Sequence, residues 1–149
     1  PVLRAVFGPD VRLDSLTCVV SYPGAPAQHP HMDAPLLFDD EKISRKLPCY
    51  AASLVIPLVD QTERNGGTVV WPGSHKKSPG PIASLTRGRS LRVEKGHGYL
   101  LDYRTAHGGE ANTSALPRPV LYQVFAKSWY RDPANFTEHP ALRTQEELH

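Results

Sequence analysis

The feature that most limits how this chain can fold is its punctuation. Its apolar, β-branched runs are short, and turn-forming residues bound them. Leu16-Thr17-Cys18-Val19-Val20-Ser21-Tyr22 stops at Pro23-Gly24, and Thr68-Val69-Val70-Trp71 stops at Pro72-Gly73. Val120-Leu121-Tyr122-Gln123-Val124-Phe125-Ala126 follows the polar turn from Glu110 to Pro117. β-Branched and aromatic residues fit a pleated, half-buried surface, while Pro-Gly pairs end it. With 15 prolines and 11 glycines among 149 residues, a helical bundle is disfavoured and strands joined by turns are expected. Further strands are expected over Tyr50 to Val59, Ser90 to Glu94 and Tyr99 to Tyr103. Pro57, inside the first of these, suggests an edge strand or a bulge. No βαβ alternation appears, so the fold class is all-β: a sandwich or barrel, most naturally a jelly roll of the metal-binding cupin kind. Residues 1–14 read as a short helix or irregular lead-in, and 39–46 as an exposed loop with a helical turn. Residues 74–89 read as a long loop or lid, and 131–149 as a tail with a short helix near Gln145.

Length predicts one domain over residues 1–149, large enough to bury about two-thirds of its unfolded surface. A net charge of +2 gives no nucleic-acid signature. Arg87, Arg89, Arg92 and Lys95 form a loose basic cluster, read as a solvated loop face able to attract an anionic substrate. Cys18 and Cys49 make no disulfide framework and are expected as buried thiols. No apolar run approaches a membrane span and no secretory signal is visible, so the chain reads as soluble and intracellular. It opens on Pro1, and targeting information could precede it. Oligomeric state is not legible.

Chemistry concentrates in Gln28-His29-Pro30-His31-Met32-Asp33. In a strand, residues i and i+2 share a face, so His31 and Asp33 can reach one metal ion from one side. A third ligand must come from elsewhere, and His107 in Thr105-Ala106-His107-Gly108-Gly109 is the best candidate. Two histidines and a carboxylate are the ligand set of the facial triad that holds non-haem Fe(II) with open positions. His29 is a rival ligand, two residues from His31. Eleven residues past His107 stands Arg118, opening an apolar run, where its fork can bind a dicarboxylate.

Two further blocks complete an ordered set. One is Asn65-Gly66-Gly67-Thr68-Val69-Val70-Trp71-Pro72-Gly73-Ser74-His75-Lys76, and the other is His107-Gly108-Gly109 with Asn112 and Arg118. From about Leu16 to about Ala126 the chain thereby resembles the phytanoyl-CoA dioxygenase family of Fe(II)/2-oxoglutarate oxygenases. The resemblance implies a double-stranded β-helix. It implies Fe(II) on His31, Asp33 and His107, with 2-oxoglutarate on the iron and Arg118. It further implies O2 as co-substrate, a small organic substrate hydroxylated or otherwise oxidised, and release of succinate and CO2. Because Asp33 is retained, it implies oxygenation rather than halogenation. Family members often carry a hydroxyl two residues past the distal histidine; Gly109 stands there, leaving Thr105 and Ser114 as alternative donors. Gln28 and Tyr22 lie on the approach and are candidates to touch co-substrate or substrate. His75 matches a family position that does not bind iron and reads as turn-stabilising. Asn65 and Gly66 read as turn geometry, Asn112 as a loop anchor, and Trp71 and Trp129 as packing. Members usually begin further upstream. The alternatives are a non-catalytic or differently metallated cupin, or a truncated metal-binding domain. Substrate contacts are expected from the loops 39–46 and 74–89.

Overall fold

The computed structural model describes residues 1–34, 36–76 and 88–132. The expected helix near Gln145 and most of the expected lid lie outside the described residues, as does Arg87. Among the described residues there are seven strands: β1 (Arg12–Ser21), β2 (Ala51–Pro57), β3 (Thr68–Val70), β4 (Arg89–Leu91), β5 (Tyr99–Asp102), β6 (His107–Gly109) and β7 (Arg118–Ala126). They form two antiparallel sheets, one ordered β1-β7-β2-β5 and the other β4-β3-β6. The fold is an antiparallel jelly roll with two short helices, as the punctuation predicts.

Alternation fixes which residues look inward. On β7, Arg118, Val120, Tyr122 and Val124 line the space between the sheets. On β1, Ser15, Thr17, Val19 and Ser21 do the same. The Tyr99 hydroxyl donates to Thr68 Oγ1 at 2.8 Å, joining β5 to β3 across the gap. One end is closed by a core cluster containing Tyr50, Ala51, Tyr103, Val124, Ala126 and Tyr130.

Three expectations change. Pro57 does not mark an edge, because β2 lies between β7 and β5. It is the last residue of β2, and β5 pairs only as far as Val55, so no strand requires the N–H that proline lacks. Cys18 is exposed rather than buried, because it sits on the face of edge strand β1 that turns away from the second sheet; Cys49 is half-buried. The stretch after Asp39 is a helix, α2 (Glu41–Lys46), following α1 (Val2–Phe7) in chain order. Asp40 caps α2 by accepting from Lys42 N at 2.8 Å, and Glu41 pairs with Arg45 at 3.4 Å. A capping carboxylate and acid-before-base order support a turn too short to persist alone.

Candidate metal centre and its cavity

His31 follows β1 through a loop, and His107 starts β6. The two are bridged backbone to backbone: His31 N–H donates to His107 O at 2.8 Å and His107 N–H to His31 O at 2.9 Å. The turn at Tyr103–Ala106 carries the chain from β5 to the other sheet, where His107 begins a strand of its own. His31, Asp33 and His107 each offer a ligand atom, all within 4.8 Å of one another.

Both rings are oriented in the same way. His31 Nδ1 lies 2.9 Å from His29 O, and His107 Nδ1 lies 3.0 Å from Thr105 O. Each carbonyl can accept only from a protonated Nδ1, which leaves each Nε2 as the lone-pair nitrogen. Thus His29, the rival ligand, acts on His31 through its backbone. Asp33 Oδ1 is 3.4 Å from His107 Nε2, and Ser53 Oγ donates to Asp33 Oδ2 at 3.4 Å. Burial disfavours the His107 imidazolium, but the hydrogen bond and charge of Asp33, with the Thr105 carbonyl, raise its pKa overall. Two neutral imidazole nitrogens and a carboxylate, converging from the loop after β1 and from the start of β6, fit a divalent transition metal.

The three residues open into a cavity of about 440 Å³ that Arg118 also lines. Arg118 is buried, and its Nη1 donates to Asn65 O and to Glu110 O. No carboxylate among the described residues forms an ion pair with it. Burial lowers its pKa, partly offset by Tyr122 and Glu110, which makes it a desolvated cation without a counter-ion. Its fork fits under Gly66, whose φ is +78°: a Cβ there would collide with Arg118 Nη1 and lie 2.7 Å from Ala111 O. Gly66 therefore does more than shape a turn. Asn112 is fully buried; its Nδ2 donates to Ser21 O at 2.8 Å and Leu116 O at 2.9 Å, tying down the loop that leads into Arg118.

The remaining candidates divide. Gln28 lines the cavity, and its Oε1 accepts from Gly109 N–H at 2.8 Å. A Cβ at Gly109 would stand 2.9 Å from that oxygen and 3.5 Å from Arg118 Nη2. Gln28 thus occupies the space a side chain at Gly109 would need. Thr105 is buried outside the cavity lining and contributes its carbonyl, not its hydroxyl. The Ser114 hydroxyl is spent on Asn112 Oδ1 and Leu116 O. Tyr22 is 65% exposed and does not line the cavity. His75 lies in a 3-10 turn (Ser74–Lys76), and its Nδ1 is buried without a hydrogen-bond partner among the described residues. Trp129 is 60% exposed and stacks on Tyr50. Sequence reasoning missed Tyr122 and Ser53, although the period of two from Arg118 and within β2 points to both.

Residues 1–120 match the family model for phytanoyl-CoA dioxygenase (PhyH). The chain belongs to the phytanoyl-CoA dioxygenase family. Among its relatives is "Dioxygenase trt7" of Aspergillus terreus, 31% identical over 80% of this chain and 42% of that protein. "Dioxygenase aneA" of Aspergillus aculeatus is 26% identical over 99% of this chain and 53% of that protein. The chain therefore spans about half the length of the curated relatives it matches. Similar solved structures include SnoN, the non-heme alpha ketoglutarate dependent epimerase from nogalamycin biosynthesis. Its TM-score is 0.74 at 19% identity, covering 96% of this chain and 60% of that one. HygX from Streptomyces hygroscopicus, with nickel, 2-oxoglutarate and hygromycin B bound, has a TM-score of 0.70 at 16% identity over 88% of this chain and 62% of its own. These similarities give the fold. Among the described residues no helix is long and apolar enough to cross a membrane.

Proposed function

We propose that this chain holds the catalytic site of an Fe(II)- and 2-oxoglutarate-dependent oxygenase that acts on a small organic substrate. The observation that supports it best is the shared cavity: a two-histidine, one-carboxylate cluster faces the same space as Arg118, a buried cation lacking a counter-ion. A dicarboxylate would satisfy both ends.

In this reading Fe(II) is held by His31 Nε2, Asp33 and His107 Nε2. Bound there with 2-oxoglutarate, it supplies O2 activation coupled to decarboxylation of the co-substrate to succinate and CO2, and oxygen transfer to a C–H bond of the substrate. The chain's own work is binding and orientation. His29 O and Thr105 O keep both imidazoles in the tautomer a metal needs. Ser53 steadies Asp33 by donating to its second oxygen. Arg118 takes the distal carboxylate of 2-oxoglutarate, in a site dry enough that the charge pairing is weakly screened. Gln28, with its oxygen engaged by Gly109, keeps its amide N–H2 as a donor toward the co-substrate.

The test is anaerobic titration with Fe(II) and then 2-oxoglutarate, followed by the absorbance of the ternary complex, with succinate measured after O2 is admitted beside candidate substrates. A saturable co-substrate band and substrate-dependent succinate would support the proposal. Metal binding without 2-oxoglutarate binding would leave a cupin-like metal-binding domain instead.

A further inference from the structure

Beside the candidate metal ligands, the cavity wall continues into a group of aromatic rings that oxygen chemistry at the ligands does not itself use. Tyr103 and Asp132 line the cavity, and the Tyr103 carbonyl accepts from Asp33 N–H at 3.1 Å. The Tyr103 ring meets Tyr130 edge-on with centroids 6.4 Å apart, and Tyr130 meets Trp129 edge-on at 6.2 Å. Tyr50 joins the same group, 4.8 Å from Tyr130 and 5.8 Å from Trp129. Each step lies in the range over which aromatic rings touch. Tyr103 and Tyr130 are buried, whereas Trp129 is 60% exposed, so the series runs from the cavity to solvent. Two features go beyond packing. The Tyr50 and Tyr130 hydroxyls are buried without hydrogen-bond partners among the described residues, so phenylalanine would fill both places at lower desolvation cost. What the phenols add is a ring that gives up an electron more easily than a phenyl ring does. The Tyr103 hydroxyl, by contrast, donates to Asp132 Oδ2 at 3.1 Å, a carboxylate placed to take its proton.

We propose that Tyr103, Tyr130 and Trp129 form an electron path between the cavity beside His31, Asp33 and His107 and the protein surface. It rests on the oxygenase reading for the source of the oxidising equivalent, which is O2 activated in the cavity with no substrate bound. That oxidant takes one electron from Tyr103 and is reduced by it. The Tyr103 O–H bond breaks as its proton passes to Asp132 Oδ2. An electron from Trp129, crossing through Tyr130, then reduces Tyr103, and the proton returns to its oxygen. A thiol or ascorbate-like reductant in solution reduces Trp129 at the surface, losing one electron for each that enters the cavity. Electron transfer needs proximity rather than access, so the burial of Tyr103 and Tyr130 does not impede it. The path spares the ligand side chains an oxidation that would otherwise fall on them.

The test uses the 149-residue chain freed of metal with chelator, so that its failure is distinct from failure of the oxygenase reading. Tyr22→Phe is introduced throughout, because Tyr22 is 65% exposed and would react directly. A ruthenium polypyridyl sensitiser, flash-oxidised in solution, takes an electron from the exposed Trp129. Transient absorption and freeze-quench electron paramagnetic resonance follow the radical. The tryptophan radical should decay as a tyrosyl radical grows, at one rate that does not depend on protein concentration. Trp129→Phe should abolish the tyrosyl signal. Tyr103→Phe should abolish it too and leave the tryptophan radical long-lived. Asp132→Asn keeps the ring but removes the proton acceptor, and should slow the transfer. It keeps the test decisive if Tyr103→Phe disturbs folding, which circular dichroism checks. The proposal is overturned if the tryptophan radical lives as long in the parent as in folded Tyr103→Phe. It is equally overturned if the tyrosyl signal survives in Trp129→Phe or Tyr103→Phe, or if Asp132→Asn transfers at the parent's rate.

Discussion

Single residues decide whether the cavity beside His31, Asp33 and His107 could take the proposed co-substrate, and Gly66 is the least obvious of them. Its α-carbon passes so close to Arg118 that any side chain must push the guanidinium aside, on a backbone whose φ of +78° already disfavours L residues. Gly66→Ala should leave Fe(II) affinity near the parent's while weakening 2-oxoglutarate binding. Equal co-substrate affinity in parent and variant, measured by anaerobic titration, would show that Arg118 is not the anchor. Arg118→Ala should cost about 2–5 kcal/mol of co-substrate binding, because the ligand's carboxylate is left buried and unpaired. Arg118→Lys keeps the charge without the fork and should recover only part. At the ligands, His31→Ala or His107→Ala should abolish tight metal binding, whereas His97→Ala, at an exposed side chain, should not; metal content by emission spectroscopy separates them. The spacing His31-x-Asp33 and the run from His107 to Arg118 were legible in the sequence because period-two alternation is local. The roles of Thr105 and His29 were not. Both act through carbonyls, which every residue has, and only the fold says which carbonyl faces a ring.

At the scale of elements, the turn between β5 and β6 rests on Arg104. Its guanidinium holds Asp102 at 2.8 Å, reaches Leu47 O at 2.9 Å and Ser44 O at 3.3 Å, and lies over the Tyr50 ring at 5.1 Å. Arg104→Met should destabilise the fold by about 3–5 kcal/mol, since it leaves the Asp102 charge buried without its partner; urea unfolding measures this. Burial alone would raise the Asp102 pKa, but hydrogen bonds from the Arg104 side chain and backbone, with its charge, lower it overall. A carboxylate depressed in the folded state stabilises above its unfolded value, about pH 4, and that stability is lost as pH falls through the lower folded value. Asp102→Asn should therefore flatten the acid limb of stability against pH below about 4. The outer face of the larger sheet makes a separate prediction. Leu16 and Leu100 are 59% and 40% exposed there. Such a face should bind an apolar fluorescent dye, and Leu16→Lys with Leu100→Lys should quench that signal. Sequence alone had Cys18 buried because strand periodicity gives two faces without saying which one a second sheet covers. Pro57 misled for a related reason: whether a strand is central depends on partners far away in sequence.

On the scale of the whole molecule, the two sheets meet at few points. One is the Tyr99–Thr68 hydrogen bond; the loop that leaves β1 adds a second link, the reciprocal backbone bridge between His31 and His107 at the start of β6. That second point is where a metal would sit. Every strand but β6 and the separation of the ligand blocks could be read from the chain; this coincidence of bridge and site could not, since it needs the loop after β1 and β6 in space. An ion gripping side chains from the loop after β1 and from β6 would then be a removable rivet, and its grip a term in the folding equilibrium. The unfolded chain holds no preformed cluster, so stability should climb with free metal concentration as RT ln(1 + [M]/Kd), about 2.7 kcal/mol at a hundredfold excess over Kd. A melting temperature that rises with added Fe(II) or Ni(II), falls with chelator and ignores both in Asp33→Ala would show that the molecule's cohesion reports on the metal supply around it.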